Sequence, residues 1–143
     1  MLASRNIQDQ IGQVKVHLSL VDSTNNYAAN LLKSGKAKSG TVILADEQTN
    51  GRGQRGEVWQ SEPGLNLQFS IIWIPENLSI SNQKYFNIAV SLGLVQFLEK
   101  KGIEAKIKWP NDILVKNKKI CGVLIENQIQ GVRISSSIIG IGL

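Results

Sequence analysis

Arg52 and Arg55 stand in the run Gly51-Arg52-Gly53-Gln54-Arg55-Gly56, between two apolar stretches. Their guanidinium groups are permanent forked cations, suited to carboxylate or phosphate oxygens. The glycines let the backbone take positive φ and approach a ligand closely. A loop with free backbone N–H groups and arginines is a cradle for an anion. Gly-Arg-Gly alone also reads as a mobile basic hairpin loop. A second cluster, Asp22-Ser23-Thr24-Asn25-Asn26, heads a helix pattern. Its hydroxyls and amides either cap the helix or meet a polar ligand there. The single histidine, His17, falls on the polar face of a strand pattern with no visible partner, and reads as a solvated residue. The single cysteine excludes an internal disulfide framework and a multi-cysteine zinc site.

These residues need strands and helices to position them. Val14 to Leu20 alternates, with Val14, Val16, Leu18 and Leu20 on one face. Tyr27, Ala28, Leu31 and Leu32 recur at helical spacing and stop at Gly35. Thr41 to Ala45 is a buried strand that leads into the arginine loop. Leu65 to Trp73 sets Leu65, Leu67, Phe69, Ile71 and Trp73 opposite Asn66, Gln68 and Ser70, and Pro75 ends it. Ser81 to Lys101 is the strongest helix pattern, capped by Ser81 and stopped by Gly102. Phe86, Ala89, Val90, Leu94, Phe97 and Leu98 form its core stripe. Ile103 to Trp109 alternates again, with Ala105, Ile107 and Trp109 on its apolar face, and Pro110-Asn111-Asp112 makes a turn. Ile113–Val115, Lys119–Glu126 and Val132–Leu143 complete a meander of antiparallel strands, with turns at 116–118 and 127–131.

At 143 residues the chain is one domain by length, with an ordinary apolar fraction of 42% and charged fraction of 19%. No apolar run is long enough for a membrane span. The opening Met1 to Arg5 leads into no hydrophobic signal-peptide core. The expectation is a cytoplasmic protein with no membrane partner. A net charge of +5 permits nucleic-acid binding, but the lysines are spread, and an anionic small ligand explains the charge equally well. The sequence stops inside an apolar strand, Gly140-Ile141-Gly142-Leu143, so the expected unit is a domain over 1–143 that is incomplete at its C-terminus.

Taken together, the motifs resemble the catalytic domain of biotin–protein ligases. The resemblance rests on Asp22-Ser23-Thr24-Asn25, Gln48 with Gly51-Arg52-Gly53, Trp59, Lys108-Trp109-Pro110-Asn111-Asp112, Lys119-Ile120-Cys121-Gly122 and the closing Gly-Ile-Gly. They come in the family's order over roughly residues 14 to 143. The resemblance implies an α+β fold: a mixed, mostly antiparallel sheet flanked by helices, shared with class II aminoacyl-tRNA synthetases. It implies that biotin is activated by ATP as biotinyl-adenylate and passed to a lysine of the biotin carboxyl carrier protein of acetyl-CoA carboxylase. The small-molecule substrates are biotin and ATP, with Mg²⁺. No enzyme nucleophile is needed, in keeping with the lack of a Cys/His pair or a serine elbow.

The resemblance also assigns roles. Arg52, Lys119 and Asp112 would be catalytic. Ser23, Thr24, Asn25, Gln48, Gly51, Arg52, Gly53, Gln54, Lys119 and Gly122 would bind biotin. Arg52, Arg55, Trp59, Lys108, Asn111 and Asp112 would bind ATP, with Trp59 packing on adenine and Asp112 also holding the metal. Cys121 would be a small apolar filler. Many relatives have Gly-Arg-Gly-Arg, where this chain has Gln54 as the fourth residue. Arg55 is adjacent and is expected to hold the phosphate in place of that arginine, although neighbouring side chains of an extended loop point apart. The ligase motifs begin near residue 22, leaving no room for the family's DNA-binding domain, so no DNA partner is expected. A homodimer is left open. The alternatives are a lipoate–protein ligase-like enzyme and a truncated biotin-binding fragment without turnover.

Overall fold

The structure, a computed structural model, describes residues 11–143. The Met1–Arg5 segment, read above for an export signal, lies outside the described residues. The elements are β1 (Lys15–Val21), α1 (Thr24–Lys33), β2 (Val42–Gln48), β3 (Gln68–Trp73), α2 (Gln83–Lys100), β4 (Lys106–Lys108), β5 (Asp112–Val115), β6 (Lys118–Gln130) and β7 (Arg133–Gly142). They form one seven-stranded sheet in the order β1-β2-β3-β7-β6-β5-β4. β1 and β2 are parallel, and all other neighbours are antiparallel. This is the α+β class the sequence implied. The simple meander holds only from β4 to β7. The crossover through α1 returns β2 parallel to β1, which a short hairpin cannot do.

Both faces of the sheet are covered, and this decides where the site lies. Phe69, Ile71 and Trp73 of β3 join Ile113, Cys121, Val123, Ile139 and Ile141 beneath α2, whose Phe86, Val90, Leu94 and Leu98 point inward. The alternate residues Ile43, Ile72 and Ile138 pack on the opposite face beneath Ala28 of α1. Cys121 is fully buried, and burial pushes its thiol up to about 11, so it is a packing residue with little thiolate.

Several sequence expectations change. Gln68 and Ser70, expected on a polar outer face, are among the most buried residues, because α1 covers that face. Leu65 and Leu67 precede β3 and are exposed. Trp109 was expected on an apolar face; it lies in the turn after the three-residue β4 and is 62% exposed. Val14, just before β1, and Leu20 within it are exposed; among the described residues β1 is an edge strand of the sheet. Ala89 and Phe97 lie outside the α2 core stripe and are exposed. α2 begins at Gln83, and Ser79 rather than Ser81 supplies a cap, accepting from Ser81 N in the preceding 3-10 turn. β6 continues to Gln130 through the expected turn, because the Asn127 and Gln128 side chains bond Ser137 and Ser136 across β7. His17 does have a partner: its Nε2 lies 2.7 Å from Asp46 Oδ1 on the exposed edge. Among the described residues no helix is long and apolar enough to cross a membrane.

Candidate active site

Strand register builds a glycine floor. Asp112, Gly122, Gly142, Gln68 and Ala45 are successive cross-strand partners, and Leu124, Gly140, Ser70 and Ile43 form the next row on the same face. Side chains are missing where the row needs space. A Cβ at Gly122 would stand 2.9 Å from the Trp59 ring. One at Gly142 would overlap the Trp59 indole, and one at Gly140 would overlap the Asn25 amide.

The wall comes from the N-terminus of α1. Ser23 occupies the cap position but makes no side-chain cap bond. Gln48 of β2 supplies it instead: its Oε1 accepts from Thr24 N at 2.8 Å and from Thr24 Oγ1 at 3.1 Å. Gln48 Nε2 donates to Gln68 Oε1, which also accepts from Ser61, each at 2.8 Å. Ser70 Oγ lies 2.7 Å from Thr24 Oγ1 and 2.6 Å from Asn25 Oδ1. Gln68 and Ser70 tolerate burial because these bonds satisfy them. The network fixes which way each amide faces and leaves Gln48 one free N–H.

The arginine loop closes over the floor as a tight hairpin. Arg52 and Val58 form an isolated antiparallel bridge, and Trp59 N donates to Gly51 O at 2.9 Å. Gly51 is required there, since a Cβ would lie 2.6 Å from the Trp59 carbonyl oxygen. Gln54 to Gly56 make a 3-10 turn with Arg55 in the left-handed region at φ 54. The loop is therefore not extended at this point. Gln54 and Arg55 both border the pocket, contrary to the expectation that neighbours point apart.

The pocket over the floor has a volume of about 290 Å³. Ser23, Thr24, Asn25, Gln48, Arg52, Gly53, Gln54, Arg55, Trp59, Asn111, Asp112, Lys119 and Gly122 all border it. Gly51 stands behind it, against Trp59. Lys108 is outside the lining, exposed on β4 opposite Asp112. Two of the pocket's cations, Arg52 and Lys119, are already partnered. Arg52 Nη2 is bound by Glu126 Oε1, and Arg52 Nη1 donates to Asn26 Oδ1 at 2.6 Å. Lys119 Nζ lies 2.8 Å from Asp112 Oδ1 and 5.6 Å from the Trp59 ring centroid. The Asn26 amide donates to Asp22 at 2.6 Å, a bond that holds the Asp22 carboxyl below its ordinary value. Glu126, Gln68 and Ser70 were not singled out by sequence as site residues, and Asn26 only as a member of the cluster that heads α1. Gly140 and Gly142 were noted only within the closing motif; their spacing of two, which clears one face of a strand, was the available signal.

A sequence profile of the biotin/lipoate A/B protein ligase family matches residues 18–143. The chain belongs to this family. It is 37% identical over 134 residues to the bifunctional ligase/repressor BirA of Bacillus subtilis, covering 93% of this chain and 41% of that protein. It is 29% identical over 128 residues to human biotin–protein ligase, covering 85% of this chain and 18% of that one. The biotin protein ligase of Aquifex aeolicus, solved with biotin and ATP, superposes with a TM-score of 0.66 at 35% identity, over 92% of this chain and 52% of that one. The Helicobacter pylori biotin acetyl-coenzyme A carboxylase synthetase, solved with biotinylated ATP, gives 0.71 at 28% identity, over 90% of this chain and 59% of that one. The chain thus spans between 18% and 59% of the length of these relatives.

In this ligase-family pocket Trp59 covers the glycine floor, and its indole Nε1 is buried without a partner. An unpaired buried donor costs about 1–3 kcal/mol. A ligand that bonds this nitrogen, or moves the ring, removes that cost. Hydrogen exchange across residues 51–59 is expected to slow when a ligand fills the pocket, with biotin plus ATP as the probe; equal protection with and without the probe refutes this.

Proposed function

We propose that this chain activates biotin with ATP as biotinyl-5′-AMP and transfers the biotinyl group to a lysine of the biotin carboxyl carrier protein of acetyl-CoA carboxylase. In the first step a biotin carboxylate oxygen bonds to the α-phosphorus of ATP, the α–β bridging bond breaks, and pyrophosphate leaves. In the second, the carrier amine attacks the acyl carbon, AMP leaves, and the amine proton passes to solvent. The observation that carries this reading is that Arg52 and Lys119 border one glycine-floored pocket whose wall is a fixed network of hydroxyls and amides. Two reacting anions need such cations to approach each other, and the polar wall suits a ureido ring, which both donates and accepts hydrogen bonds.

Arg52 neutralises the developing charge at the α-phosphate, and Lys119 neutralises the carboxylate. Thr24, Asn25, Ser23 and the free N–H of Gln48 orient the ureido ring. Trp59 gives a face for adenine once it leaves the floor. Asn111 Nδ2 donates to Val123 O at 2.7 Å, which leaves its carbonyl oxygen, and Asp112 engages Lys119 through one oxygen, which leaves the other. Those two oxygens fit Mg²⁺ held mainly by substrate phosphates and water. Among the described residues no cluster of three or more acidic, His or Cys side chains could cage a metal. Bound there, Mg²⁺ would offset the charge of the triphosphate.

Mass spectrometry after incubation with biotin and Mg-ATP tests the reading, with biotinyl-adenylate the expected product. Biotin binding without adenylate favours a binding-only fragment, and tighter binding of lipoate than biotin in calorimetric titration favours a lipoate ligase. The loop gives one more expectation. Because Arg55 and Gln54 both border the pocket, Arg55 takes over phosphate retention from the missing arginine. Arg55→Ala is expected to speed biotinyl-adenylate release several-fold and Gln54→Arg to change it little. Slower release in Gln54→Arg with no effect of Arg55→Ala reverses the assignment.

A further inference from the structure

Glu126 sits on β6 on the pocket face of the sheet, paired across to Ile138. Its carboxylate takes one donor on each oxygen: Arg52 Nη2 on Oε1, and Asn25 Nδ2 on Oε2 at 2.8 Å. The other ends of both partners are fixed as well. Asn25 Oδ1 faces Ser70, so its nitrogen must face Glu126. Asn26 turns its nitrogen to Asp22, so its oxygen must face Arg52. The guanidinium is thus clamped between an acid and an amide oxygen that are each oriented by a further bond. The Arg52 and Glu126 side chains are 40% and 34% exposed, and pairs at that exposure contribute little to stability. What the pair does supply is direction.

We propose that Glu126 is a positioning residue of the pocket: it holds Arg52 over the glycine floor, and Asn25 in its rotamer, before an anion arrives. The kinetic part of this inference rests on the ligase reading above. Positioning of a charged group before reaction removes an ordering step from the barrier. It also explains why a carboxylate stands in an anion site, where charge alone would disfavour it. The arriving anion meets the remaining N–H groups of a guanidinium already aimed.

Donor and acceptor chemistry gives a specific test. In Glu126→Gln the amide can accept from Arg52 or from Asn25 but not from both, since its nitrogen then faces a donor. In the double variant Asn25→Asp/Glu126→Gln the new aspartate accepts from the glutamine nitrogen and from Ser70, the glutamine oxygen accepts from Arg52, and net charge equals that of the wild type. Pyrophosphate release is measured for the wild type and Glu126→Gln, and the ordering of the Arg52 side-chain Nε–H by NMR without ligand for all three proteins. Glu126→Gln is expected to lower kcat by roughly tenfold or more with KM for biotin changed far less; the double variant also alters the pocket wall at Asn25, so it is read by the order of Arg52 alone. Arg52 is expected to be ordered in the wild type, loosened in the single variant and ordered again in the double. Wild-type kcat in Glu126→Gln, or a double variant whose Arg52 is as loose as in the single variant, overturns the proposal. If the wild type releases no pyrophosphate, the ligase reading fails, and the NMR arm decides the positioning role: equal Arg52 order in all three proteins overturns it.

Discussion

Arg52→Ala is expected to slow biotinyl-adenylate formation about a hundredfold, roughly 3 kcal/mol in the barrier, the usual effect of removing one donor aimed at developing charge. The fold should survive. Arg52 has 40% of its side chain exposed, and its partners are Glu126 and Asn26 at the same rim, so no packed core is opened. The partners add to the kinetic effect. Without Arg52, Glu126 presents an uncompensated carboxylate beside the incoming phosphates, and repulsion joins the loss of attraction. Pyrophosphate release and a thermal melt on the same preparation check both halves. Unchanged release removes Arg52 from the reaction, whereas a lost melting transition assigns it to the fold.

How much of this was legible in sequence follows from what each pattern encodes. Both helices and the strands β1 to β7 were readable because apolar period and glycine stops are local signals. The crossover that makes β1 and β2 parallel was not, since pairing partners are non-local. Gln68 and Ser70 were assigned to a solvent face because strand alternation separates two faces without saying what covers each. Only the placement of α1 turns their face into a buried polar wall. Trp109 failed for the opposite reason: it continued an alternating pattern, but β4 ends one residue earlier and the turn carries it outward. The pocket residues were legible as a set through the family motifs. Their partners were not: Glu126 lies 74 residues from Arg52, and nothing local marks it. The motif residues that carry charge could be read from their types. The residues that aim them became visible only with the fold.

Lys119→Ala is expected to weaken biotin and biotinyl-adenylate binding by roughly tenfold to a hundredfold, the range of a charge-assisted hydrogen bond at 1.5–3 kcal/mol. Side-chain exposure of 45% argues for the lower end, because water screens the contact. Lys119 is held beside the floor: its Cε would lie 3.3 Å from a Cβ on Gly122, and its ammonium bonds Asp112 at 2.8 Å. Removing it therefore has two consequences of opposite sign. The carboxylate of biotin loses its cation, while Asp112 loses the partner that occupies one of its oxygens and becomes freer to meet Mg²⁺. ATP affinity in the presence of Mg²⁺ should then hold or rise while biotin affinity falls. Calorimetric titrations with biotin alone and with Mg-ATP alone separate these terms. An equal fall in both affinities assigns Lys119 to general support of the pocket, and an unchanged biotin affinity removes it from the biotin site.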